Sequence, residues 1–109
     1  MKIIQLQSSV HQPLRNVIDD VRVTVSRVCN GIDEMSRFGN KALIVRAEIY
    51  VGRLPALYAA LEASGIKVSE KTRPDVSTFS KDAEYPVTLQ VIGLSDDTDD
   101  RITIPSVPG

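Results

Sequence analysis

Apolar residues recur along the first third of the chain as Leu14, Ile18, Val21, Val25, Val28, Ile32 and Met35, stepping alternately by four and three. That spacing puts them on one face of a helix, and Pro13, favoured in a first helical turn, stands at its start. Of the intervening residues only Val17, Val23 and Cys29 are apolar, so the stripe is narrow and resembles a coiled-coil seam, a surface that seeks another helix. A shorter pattern competes. Val21-Arg22-Val23-Thr24-Val25-Ser26 alternates as a strand does, but it leaves Leu14, Ile18, Ile32 and Met35 unexplained. A helix from about Gln12 to Ser36 would be about 37 Å long, against a radius of gyration near 13 Å for a domain of this size. Either it breaks near Asn30-Gly31 or its far end packs on another copy. The stripe is then either buried on the chain's own sheet or an interface made by Ile18, Val21, Val25, Val28 and Ile32.

The other elements follow from shorter patterns. Lys2 to Gln7 reads as a strand. Ala42 to Val51 is the clearest strand, with Leu43, Val45, Ala47, Ile49 and Val51 on one side and Ala42, Ile44, Arg46, Glu48 and Tyr50 on the other. Gly52-Arg53-Leu54-Pro55 turns into a short helix carrying Leu57, Ala60 and Leu61 and stopped by Gly65. Ile66 to Thr72 reads as a strand, Arg73 to Glu84 as an exposed loop, and Tyr85 to Leu94 as a strand. After the acidic turn Ser95 to Asp100, Arg101 to Ile104 closes a terminal hairpin. The order β-α-β-α-β-β-β predicts an α+β two-layer sandwich, with one mixed sheet of four to five strands and both helices packed on one face. Right-handed crossovers would make the first three of these strands parallel.

Composition narrows the picture. At 109 residues, 42% apolar, 25% charged and with a net charge of -1, the chain has the make-up of a single globular domain spanning 1–109. Thirteen basic residues against fourteen acidic ones form no basic stripe, and five aromatics offer little for base stacking, so nucleic acid is an unexpected partner. No apolar run approaches the roughly 20 residues of a membrane span, and the opening residues are too polar for a signal peptide. With one cysteine, Cys29, no internal disulfide forms, and a reducing cytoplasm is the expected setting.

Candidate chemistry is sparse, and neither cofactor, metal nor catalytic residue is expected. His11 is the single histidine and has no neighbouring partner in the chain, so it reads as a surface or capping residue. Cys29 reads as a small buried apolar residue. The acidic turn from Asp96 to Asp100 lacks the glycine and distal glutamate of an EF-hand loop. Arg46, Glu48 and Tyr50 stand at alternate positions of one strand, so a guanidinium, a carboxylate and a phenol face one way beside Gln5, Gln7, Lys67, Lys71, Gln90 and Thr103, with Ile44 and Ile92 as apolar islands. Gly52 and Arg53 open the second helix, where free backbone donors suit an anion. Gly52, Leu54, Leu57, Leu61, Gly65 and Ile66 resemble, over a short part of the chain, the strand-helix-strand half of an ACT amino-acid-sensing domain. The expected function is a non-enzymatic interaction or self-association module, a homodimer or the binder of another protein. The alternative is a small-ligand or anion-binding regulatory domain using Arg46, Glu48, Tyr50, Gly52 and Arg53.

Overall fold

The computed structural model describes residues 2–94. Five strands form one mixed sheet: β1 (Ile4–Val10), β2 (Ile32–Phe38), β3 (Ala42–Tyr50), β4 (Lys67–Val68) and β5 (Glu84–Gly93), in the spatial order β2-β3-β5-β1-β4. Helices α1 (Ile18–Val28) and α2 (Leu54–Ala63) pack on one face of it. The α+β class, the mixed sheet and the two helices are as expected.

The core lies between sheet and helices. Leu6 of β1, Val45 of β3 and Leu89 of β5 face Val21 and Val25 of α1 and Leu57 and Leu61 of α2, each at most 2% exposed. Ser8 stands in the same row as these apolar residues and is buried too, because its hydroxyl donates to the Gln90 carbonyl at 2.9 Å. α2 ends on Gly65 at φ +82°, where the Gly65 and Ile66 amides donate to the Glu62 and Leu61 carbonyls, both at 3.0 Å. This satisfies two end carbonyls and brings Ile66 onto Leu61.

The start of the expected long helix is corrected, and at its far end the structure takes the alternative of a break near Gly31. The chain first makes a tight turn over Leu14–Asn16, and α1 starts only at Ile18. It stops at Val28, since Cys29 is extended and Gly31 takes φ +87°, a region open to glycine. Ile32 and Met35 therefore belong to a strand. The β2–β3 hairpin turns through Gly39 at φ +59°, and the Lys41 amide closes it on the Phe38 carbonyl at 3.1 Å.

That missed strand also changes the strand directions. The α1 crossover joins β1 to β2, and the hairpin then reverses the chain, so β3 runs opposite to β1: it is antiparallel to β5, which is parallel to β1. β4 is antiparallel to β1. The expectation of three parallel strands is thus overturned. The strand expected over Ile66–Thr72 keeps only Lys67–Val68 in the ladder, because Glu70–Thr72 forms a turn. The expected strand Arg101–Ile104 lies outside the described residues; β5 itself is hydrogen-bonded on both flanks. The segment from Arg73 to Ala83 is tied down, by Arg73 to Glu62 and the Val68 carbonyl at 3.1 Å each, by the Ser80 amide to the Tyr85 hydroxyl at 2.8 Å, and by Lys2 to the Thr78 carbonyl.

Candidate functional site

The helix stripe is used within the chain. Val21, Val25 and Val28 are buried against the sheet and α2, and Ile18 and Ile32 are half-buried on the same core. These five residues form no open seam, because the sheet and α2 already occupy the narrow apolar face of α1.

The opposite face of the sheet is bare among the described residues. Its rows can be read from the strand register. Phe38, Ala42 and Ile92 stand side by side across β2, β3 and β5; Ser36, Ile44, Gln90 and Gln7 form the next row, and Glu34, Arg46, Thr88 and Gln5 the one after. Arg46 and Glu48 do stand on this face as expected, with Tyr50 at its far end opposite Glu84. Arg46 is held by Glu34, whose carboxylate accepts from the guanidinium at 3.1 Å; both side chains are more than half exposed, so the pair adds little stability. Two shallow hollows of about 340 and 320 Å³ flank Arg46.

Phe38, 56% exposed, dominates the other end. With half-buried Ala42, Ile44 and Ile92 it makes an apolar patch across three neighbouring strands. Sequence reasoning missed Phe38 because it lay beyond a helix assigned through Ser36. The available signal was Gly39-Asn40, a hairpin dipeptide between the residues that become β2 and β3.

Tyr50, Gly52 and Arg53 do come together. They line an open hollow of about 600 Å³ with Val51, Pro55, Val76 and Lys81, the last two from a segment the sequence assigned to a loop. The Arg53 Nε–H donates to the Val28 carbonyl at 3.4 Å, tying the turn before α2 to the end of α1. A further hollow of about 530 Å³ lies along Gln7, Ser9, Lys67 and Lys71 at the β1–β4 edge.

Burial pushes the Cys29 thiol up to about 11, against a smaller lowering by the Arg53 charge, which leaves it protonated and unreactive at neutral pH. His11 is exposed at the end of β1. Burial likewise raises the Tyr58 phenol, opposed by the Arg73 guanidinium 4.4 Å from its ring centre. The Asp75 carboxyl is lowered, first by the Ser77 hydroxyl, which donates to it at 2.7 Å, and then by the Ser77 amide.

No family model matches the chain, and no curated protein or solved structure matches it significantly. The short resemblance to half an ACT domain gains no support from these comparisons. What the fold defines is a class: a mixed α+β sheet with one face under helices and the other bare among the described residues. No helix among those residues is long and apolar enough to cross a membrane.

Proposed function

We propose that the protein is a non-enzymatic interaction module that self-associates through the bare face of its sheet. The observation that carries this reading is the Phe38 patch: an aromatic ring more than half exposed, beside Ala42, Ile44 and Ile92 on adjacent strands. Apolar groups gathered on one surface favour removal from water on contact. The charged pair Glu34–Arg46 borders the patch, as a polar rim borders a contact core. In a two-fold dimer each copy would offer both a ring and the aliphatic ground to receive one. A cytoplasmic setting belongs to the same proposal and is supported by the free, buried Cys29.

The test is light scattering after size exclusion over a range of protein concentrations, on wild type and Phe38→Asp. The expected result is a dimer that dissociates on dilution and a variant that stays monomeric with an unchanged circular dichroism spectrum. A wild type that is monomeric at every concentration, or a variant that remains dimeric, sinks the proposal. Phe38 is exposed at a hairpin end, so its replacement leaves the core intact.

A further inference from the structure

The geometry points to a second, separate site: we infer that the hollow bounded by Tyr50, Arg53, Val76 and Lys81 binds a small organic anion with an apolar body. Tyr50 stands at the opposite end of β3 from Ala42 and the Phe38 patch, about 26 Å along the strand, so this site is independent of the proposed contact surface.

Three features carry it. The volume, about 600 Å³, falls within the range of small-molecule sites. The walls are mainly apolar: the Tyr50 ring, Pro55, Val51 and Val76, of which Tyr50 and Val76 are 41% and 49% exposed and so have apolar surface to cover. Two cationic residues from separate segments line the hollow, Arg53 from the turn before α2 and Lys81 from the segment before β5, and no carboxylate does. Glu84 faces Tyr50 in the ladder but is not part of the lining.

The two cations differ in how they are held. Arg53 is oriented by its Nε–H bond to the Val28 carbonyl, leaving the terminal nitrogens of its guanidinium for an anion. Lys81 is exposed and has no ionic partner among the described residues. A planar two-oxygen group such as a carboxylate matches the guanidinium fork, with the ammonium as a second point charge. The apolar walls select against a bare inorganic anion, which gains nothing from them.

The probe is 4-phenylbutyrate, compared with its uncharged analogue 4-phenylbutanamide, titrated into isotopically labelled protein and followed by amide chemical shifts. Saturable shifts at Gly52, Arg53, Val76 and Lys81 are expected with the carboxylate. The amide is expected to bind about tenfold more weakly, and Lys81→Gln to weaken the carboxylate about fivefold. Because Lys81 is exposed, that variant folds; Arg53→Gln serves as the second variant, its fold checked by the unchanged shifts of β1 and β5. Equal binding of acid and amide, no saturable shift at these residues, or identical affinity in Lys81→Gln would each overturn the inference.

Discussion

Ile32 and Met35 are three residues apart yet stand on the same face of β2, opposite Ala47 and Val45 of β3, both of which are buried. In a regular strand residues three apart face opposite ways. A bulge between Ile32 and Glu34 supplies the extra residue, Asp33, that brings the two side chains back into phase. The step of three that continues the helical count from Ile32 to Met35 is therefore produced by a defect in a sheet.

Deleting Asp33 should consequently be tolerated, since it removes the extra residue and leaves Ile32 opposite Ala47. Deleting Ser36 should not. It moves Met35 to the place opposite Ile44 on the bare face and sets the Glu34 carboxylate opposite buried Val45, at a cost of about 2 kcal/mol, most of it from the displaced charge. Urea unfolding followed by circular dichroism separates the two: a midpoint near wild type for the first and clearly lower for the second.

Val25 is 2% exposed on the core face of α1. An aspartate there would bury a charge without a partner, and Val25→Asp should cost roughly 3–5 kcal/mol, enough to unfold most domains of this size. Loss of the native circular dichroism signal at room temperature is the expected result. A folded variant of altered mass would instead return α1 to consideration as a contact surface.

Gly93 and Gly52 should respond oppositely to alanine. A Cβ at Gly93 would lie 2.7 Å from the Asn40 carbonyl oxygen and 3.3 Å from Leu14 Cγ, whereas one at Gly52 meets nothing within 4 Å. Gly93→Ala is expected to destabilise by about 1–3 kcal/mol, and Gly52→Ala to stay within about 0.5 kcal/mol of wild type. Thermal melts of the two variants check this pair.

Cys29 sets a pH window. Its thiol lies at about 11 in the fold against an ordinary value of 9.0, so the unfolded chain loses this proton first as pH rises. The stability it contributes is whole below about pH 9 and is lost between about pH 9 and 11. Cys29→Ala should flatten that alkaline fall, as measured by urea midpoints across the range. Alkylation of native protein at pH 8 should be slow, and fast once urea exposes the thiol.

How much was legible depended on whether a pattern was closed locally. β3 was readable because nine residues alternate without interruption, and its outward row Arg46, Glu48, Tyr50 came with it. α2 was readable from Pro55 at its start and Gly65 just past its end. The candidate sites were only half legible: Tyr50, Gly52 and Arg53 are neighbours in sequence, but Val76 and Lys81 reach them through the tertiary fold, and Phe38 was hidden behind the helical count.

Local stereochemistry and hydrophobic spacing thus determined from sequence alone that the protein is α+β, that Val21, Val25 and Val28 share one face of a helix, and that β3 has one apolar and one polar face. Only the tertiary structure decided that Ile32–Phe38 is a strand, that β5 inserts between β3 and β1, and which sheet face stays bare among the described residues. Those choices rest on pairing between residues far apart in the chain, such as Leu6 with Leu89 and Val45 with Leu89. A backbone ladder carries no periodic mark of its partner, so such pairing is settled only when all the strands compete for the same hydrogen bonds and the same core.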